Sequence, residues 1–187
     1  MKIRIVTTAL CILSALLLSG CSKDESKSLT GSYTYTVSGT LTLKATSLTG
    51  IDEQEIASIK EKLGIDFTVQ PVTMGLCPEQ GQMHIVNDGN GTNTVTVTFN
   101  ELFGDSSVAS GTTDGSSISL TGKAPKSVKV TDGMIPVGSG LVTFSGTGRK
   151  DESTLILDLA YEGDIRIGAV HFDVISSEVH CTSQANK

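Results

Sequence analysis

Apolar and polar residues alternate with a period of two along most of the chain from about residue 32 onward. The first clear run has Tyr33, Tyr35 and Val37 on one face and threonines on the other. Later runs are separated by short segments rich in Gly, Asn and Asp, of which Asp88-Gly89-Asn90-Gly91 is a strong turn signal. Because successive side chains of a β-strand point to opposite faces, the pattern predicts about ten or eleven short strands joined mostly by hairpins.

Three local features refine this prediction. Ser38-Gly39 predicts a turn after the first strand, and the alternation over Ile65–Val69 predicts a further strand that ends before Pro71. At Gly168 the apolar residues change from odd to even positions. This change of phase predicts a β-bulge that bends a single strand over Ile165–Ile175.

One segment has the period of a helix instead. Asp52 is a suitable N-cap, and Glu55 stands three residues later, as in a capping box. Ile59 and Leu63 belong to a narrow apolar stripe, and Gly64 is a typical C-terminal stop. We therefore predict one short helix near residues 52–63, lying over a barrel end or an open sheet edge.

Together these elements predict an all-β fold. An antiparallel meander is expected to close into an up-and-down barrel of roughly 8–11 strands, as a single domain over residues 31–187. A β-sandwich is the alternative, because alternation alone does not distinguish the two. The predicted inward face carries aromatic side chains, which line a ligand cavity or fill an ordinary core: Tyr33, Tyr35, Phe67, Phe99 and Phe172.

The first twenty residues predict a signal peptide. Lys2 and Arg4 precede an uncharged run over Ile5–Leu18 that is too short to cross a membrane comfortably. The run ends in Leu18-Ser19-Gly20-Cys21, which resembles the lipobox of bacterial lipoproteins. This resemblance implies cleavage after residue 20 and attachment of a diacylglycerol to the sulfur of Cys21, which would anchor the chain to a membrane.

The residues after Cys21 predict a destination. Ser22, in place of aspartate, resembles the sorting rule of outer-membrane lipoproteins. Lys23-Asp24-Glu25 resembles the export signal of Bacteroidetes surface lipoproteins. Residues 21–30 have no apolar period and are expected to form a flexible, lipidated tether. The expected location is the outer membrane, with the domain exposed on the cell surface.

Removal of residues 1–20 changes the charge and the cysteine inventory. The remaining chain has 12 Lys and Arg against 20 Asp and Glu, a net charge of −8, which disfavours nucleic-acid binding. Cys11 leaves with the signal peptide and Cys21 is lipidated. Because exported proteins meet oxidising conditions, we predict a disulfide between Cys77 and Cys181, with two free thiols as the alternative.

A meander that begins Gly31-Ser32-Tyr33 and carries Gly-rich hairpins resembles the calycin-like, lipocalin-type barrel lipoproteins of Bacteroidetes. The resemblance is one of pattern over residues 31–181. Lipocalins carry Gly-x-Trp at the first strand, whereas this chain has Tyr33 there and contains no tryptophan. The resemblance implies a barrel that binds a small ligand.

No catalytic constellation is evident, and neither a metal nor a cofactor is expected. The histidines lack the close spacing of zinc ligands, and the Gly-rich segments are not followed by a helix. The sequence favours a non-catalytic binding module for a small apolar or glycan ligand. An adhesive or accessory module that contacts another surface protein is the alternative, and a hydrolase with paired carboxylates is the third hypothesis. A filled interior with apolar residues outside would favour the accessory module.

Overall fold

The computed structural model describes residues 29–89 and 93–186. The predicted signal peptide and the lipidated Cys21 lie outside the described residues. Ten strands and one helix follow in this order: β1 Gly31–Ser47, α1 Glu53–Leu63, β2 Val72–Leu76, β3 Glu79–Asn87, β4 Thr94–Glu101, β5 Ser106–Thr113, β6 Ser117–Gly122, β7 Lys126–Asp132, β8 Ile135–Asp151, β9 Thr154–Ile167 and β10 Val170–Ala185.

The strands form one antiparallel sheet that closes on itself. β1 pairs with β10 along nearly its whole length, from Tyr33 opposite Ala185 to Ser47 opposite His171. β2 and β3 lie end to end along β1, and β6 and β7 lie end to end along β8. The chain is therefore an up-and-down barrel, as predicted, and the closure between β1 and β10 excludes the sandwich alternative.

The barrel narrows along its axis. At one end β4 and β5 lie between β3 and β6, so the ring contains eight strands. At the other end β2 pairs directly with β7, and the ring contains six strands: β1, β2, β7, β8, β9 and β10. We call the level at which the β4–β5 hairpin ends the waist.

Helix α1 closes the narrow end. The carboxylate of Asp52 accepts a hydrogen bond from the Gln54 amide at 2.6 Å, and Gly64 ends the helix in the left-handed conformation. Ile59 is buried against the barrel. The Glu55 side chain does not complete a capping box but accepts a hydrogen bond from the Ala169 amide at 2.8 Å. The predicted helix over a barrel end is thus confirmed, with Glu55 joining it to the β9–β10 turn.

Three local predictions were wrong. Residues Gly168 and Ala169 form a hairpin turn between β9 and β10, with Gly168 at φ 59°, so the change of phase is a reversal of the chain rather than a bulge. Ser38-Gly39 does not form a turn, because β1 runs straight through it. Ile65–Val69 is a turn rather than a strand, although Phe67 still packs into the core.

The folded domain begins slightly before the predicted boundary. Leu29 is fully buried, and its carbonyl accepts a hydrogen bond from the Tyr33 hydroxyl at 2.8 Å. The predicted tether, residues 21–30, therefore overlaps the domain at Leu29 and Thr30. No helix in the described part of the chain is long and apolar enough to cross a membrane.

Candidate functional site

The aromatic residues predicted to line a cavity fill the barrel interior instead. Tyr33, Tyr35, Phe67, Phe99 and Phe172 all belong to the hydrophobic core, and none is more than 4% exposed. The rings of Tyr35 and Phe99 meet edge to face with centroids 5.4 Å apart, and those of Phe67 and Phe172 are 5.3 Å apart. These five side chains are thus core residues, which corrects the proposed interior ligand site.

The predicted disulfide is not formed, because Cys77 and Cys181 are both free thiols. Cys181 lies opposite Val37 of β1, whereas Cys77 lies in the connection between β2 and β3, which both pair with the other edge of β1. Two inter-strand spacings, about 9 to 10 Å, exceed the Cα separation of roughly 4.4 to 6.8 Å that a disulfide allows. Burial raises the pKa of the Cys181 thiol to about 12, so the thiol is neutral and unreactive.

The histidines are occupied by local partners on the barrel surface. His84 Nδ1 shares a hydrogen bond with the Ser32 hydroxyl, His171 contacts Asp164 at 2.9 Å, and His180 contacts Asp158 at 2.7 Å. Within residues 29–89 and 93–186, no three metal-ligating side chains come together.

Three charged side chains meet at the waist, where sequence reasoning expected none. The Lys126 ammonium contacts a carboxylate oxygen of Glu79 at 2.5 Å and one of Glu101 at 3.1 Å. All three occupy inward-facing positions at strand ends, in register with buried residues of β7, β3 and β4. Their side chains are 8%, 11% and 17% exposed, respectively. We call Lys126, Glu79 and Glu101 the waist triad.

The burial of the waist triad affects the pKa values around it. Burial raises the pKa of Glu79 above 4.5, although the Lys126 charge opposes this shift. Burial, followed by the charges of Glu101 and Glu79, raises the pKa of Tyr35, whose buried hydroxyl has no hydrogen-bond partner among residues 29–89 and 93–186. The pKa of the Tyr161 phenol is also raised, chiefly by burial. These groups are therefore poorly solvated on the side that faces the interior.

A groove of about 780 Å³ opens outward above the waist triad. It lies between the β4–β5 loop and the first residues of β7, and the β6–β7 connection forms one wall. Phe103, in that loop, is 97% exposed, and Leu141 on β8 is 61% exposed. The volume lies within the range of about 300 to 1,000 Å³ typical of ligand sites. Apolar side chains on the wall and buried charges on the floor make this groove the candidate binding site.

Glu79, Ser107 and Lys126 form the partition between this groove and the interior. These three residues line the groove on one side and a void of about 10 Å³ on the other. The Ser107 hydroxyl oxygen is buried without a hydrogen-bond partner in the described part of the chain. A void of this size is large enough for one water molecule at most. The interior therefore has room for a water, whereas the larger space lies outside.

A sequence signal for the triad exists. Glu79 stands two residues before Gly81 and four before Met83, Glu101 two after Phe99, and Lys126 two before Val128. Each charge thus continues an apolar face at the end of its strand. That three such ends meet depends on the pairing of β3, β4 and β7, which alternation along one strand does not reveal.

No family model matches the chain, and no curated protein matches it significantly. Among solved structures, EF1p2_mFAP2b bound to DFHBI is similar to this chain, with 14% identity. The match covers 87% of this chain and 98% of that chain, at a TM-score of 0.44. At this TM-score the likeness carries no argument about the groove, and the barrel described above rests on its own strand pairing.

Proposed function

We propose that this chain is a lipid-anchored, non-catalytic accessory module of the outer-membrane surface that binds another surface protein through the groove at its waist. The observation that carries the proposal is the contrast between a filled interior and an open groove. The aromatic residues that could line an interior cavity pack on one another, whereas Phe103 and Leu141 remain exposed beside the groove. An exposed apolar wall beside polar groups is typical of a surface that binds a partner.

A hydrolase is the second candidate, because the waist triad contains two carboxylates in a groove. Glu79 and Glu101 contact the same ammonium, so their separation is of the order of the ~5 Å used by retaining glycosidases. However, Lys126 occupies the space between them, where a scissile bond would have to lie. This geometry supports binding better than hydrolysis.

The groove itself is tested by photo-cross-linking on intact cells. We expect p-benzoylphenylalanine at position 103 to cross-link to one discrete protein, because that side chain stands beside the groove. The matched control is the same residue at position 134, because Met134 is also 97% exposed but does not line the groove. Equal products from both positions, or none from either, would contradict the proposal. So would a glycan or small molecule found by native mass spectrometry on the protein taken from its envelope.

The anchor is tested separately. We expect Cys21→Ala to move the protein from the membrane fraction to the soluble fraction, since the acyl chains on that sulfur would supply the membrane affinity. Cys11→Ala is the control, because that cysteine lies within the predicted signal peptide and should leave anchoring intact. If Cys21→Ala stayed in the membrane fraction and still needed detergent for its release, the anchoring proposal would be wrong.

A further inference from the structure

The first residues of β5 have one edge without a partner strand. Ser106 and Ser107 pair with Asn100 and Phe99 of β4, whereas the pairing of β5 with β6 begins only at Ala109. The Lys123 amide donates a hydrogen bond to the Val108 carbonyl at 2.7 Å, so the backbone of residue 108 points away from β4. Because backbone groups alternate in direction along a strand, the N–H and C=O of Ser106 also point away from β4, toward the groove.

The first residues of β7 have the same property. Lys126, Ser127 and Val128 pair with β8, whereas β2 pairs only with residues 130 and 131. The Cys77 amide donates to the Lys129 carbonyl at 2.9 Å, which fixes the direction of the backbone at residue 129. Two residues earlier, the N–H and C=O of Ser127 point the same way. In the described residues nothing pairs with them.

These two free edges border the same groove. Ser106, Ser107 and Val108 line one side of it, and Ser127, Val128 and Lys129 line the other. The gap exists because β4 and β5 end at the waist, while the chain between β6 and β7 passes through Pro125 without joining the sheet. The closed barrel thus has a local break in which the backbone N–H and C=O groups of Ser106 and Ser127 are left open to an added strand.

We propose that an extended segment of the partner protein adds to this barrel as a short strand, pairing through its backbone with the free edges of β5 and β7. This inference rests on the proposed function, because it names how the partner occupies the groove. Side chains on one face of the added strand would contact Phe103 and Leu141, and those on the other face would lie over the waist triad. An extended peptide carries backbone donors and acceptors along both of its edges and can pair with Ser106 and Ser127 at once, whereas a small apolar molecule would leave these groups unpaired.

The test uses a defined peptide and one pair of substitutions on each edge. The probe is fluorescein-labelled, acetylated and amidated Lys-Thr-Val-Thr-Val-Thr-Lys, and binding is followed by fluorescence anisotropy. Ser127→Pro removes an N–H that faces the groove and that the β7–β8 ladder does not use, so β7 should remain paired. We expect Ser127→Pro to weaken binding at least tenfold and Ser127→Ala to leave binding unchanged.

The β5 edge has an equivalent pair. Ser106→Pro should weaken binding at least tenfold relative to Ser106→Ala. Both substitutions lose the hydrogen bond from the Ser106 hydroxyl to Asn100, so this loss cancels in the comparison. Equal binding by the proline and alanine variants, or no saturable binding to the wild-type protein, would overturn strand addition. Neither result would affect the cross-linking at position 103, so failure of the inference is distinguishable from failure of the proposed function.

A second measurement does not depend on the folding of any variant. The same peptide with N-methyl groups on alternate residues keeps its side chains but loses the backbone donors of one edge. We expect the N-methylated peptide to bind the wild-type protein at least tenfold more weakly. Equal affinity for the two peptides would show that side chains alone carry the contact, and strand addition would then be wrong. Sedimentation of the protein without peptide completes the test. A dimer formed through Ser106 and Ser127 would show that a second copy of this chain, and not another surface protein, occupies the groove.

Discussion

Lys126→Met is expected to lower the free energy of unfolding by about 3 to 5 kcal/mol at pH 7, as measured by urea denaturation. Lys126 is the cation that both Glu79 and Glu101 contact in the waist triad, and its side chain is only 8% exposed. Without it, two mostly buried carboxylates on the floor of the groove would face each other with no compensating charge. Removing one partner of a buried ionic group is costly because the remaining charge is neither solvated nor paired.

The matched control lies on the same strand. Lys129→Met changes an exposed lysine that has no ion pair within the described part of the chain, and should shift the free energy of unfolding by less than about 0.5 kcal/mol. A triple variant, Lys126→Met with Glu79→Gln and Glu101→Gln, should recover much of the loss because it removes all three charges together. If Lys126→Met and Lys129→Met were equally stable, the waist triad would not contribute to the fold.

The loss should also depend on pH. The pKa of Glu79 is raised above 4.5 by burial, and the Lys126 charge opposes that rise, so the variant should have a still higher value. A carboxyl whose folded pKa is raised binds its proton more tightly in the folded state. Its effect on stability is therefore most favourable below about pH 4.5 and is lost as pH rises through the folded pKa. The difference in the free energy of unfolding between wild type and Lys126→Met should therefore become smaller from pH 7 to pH 4.

Gly39→Ala is the second substitution with a large expected effect. Gly39 has φ 150°, a conformation that L-residues with a side chain rarely adopt, and a Cβ there would lie 2.0 Å from the Glu178 carbonyl oxygen. Strain of about 1 to 3 kcal/mol and overpacking of similar size should together lower the free energy of unfolding by about 3 to 5 kcal/mol. The atoms that this Cβ would meet belong to the backbone of β10, with which β1 pairs to close the barrel. The clash therefore cannot be relieved by the movement of a flexible side chain.

The adjacent residue is the control. Ser38→Ala removes only a hydroxyl at an exposed position and should change the free energy of unfolding by less than about 1 kcal/mol. Thermal and urea unfolding of both variants measure the difference. A Gly39→Ala protein as stable as Ser38→Ala would show that β1 does not approach β10 as closely as the structure shows.

Gly39 also shows why part of the fold was unpredictable. In sequence, Ser38-Gly39 has the composition of a turn, but it marks where β1 changes partner, from Glu79 of β3 at Val37 to Gly75 of β2 at Thr40. A glycine needed for a turn and one needed for close approach of two strands look the same in a single sequence. Only the neighbouring strand tells them apart.

The candidate site was unpredictable for a related reason. The alternation correctly places Tyr35 and Phe99 inside, and the charges of Glu79 and Lys126 can be seen to continue inward faces. Whether an inward aromatic face lines a cavity or fills a core depends on the distance across the barrel. Periodicity records the direction of a side chain but not what stands opposite. The sequence therefore left an interior cavity and a filled core as alternatives, and the structure shows a filled core with an exterior groove.

The sequence by itself determined the all-β class, the inward and outward faces of the strands and the helix with its caps at Asp52 and Gly64, because these follow from local periodicity and backbone preference. Tertiary structure alone decided the closure of β1 on β10, the change from eight strands to six and the free thiols of Cys77 and Cys181. It also decided that Lys126 would meet two glutamates. Each of these depends on register between strands distant in sequence, which is set by the packing of the whole barrel.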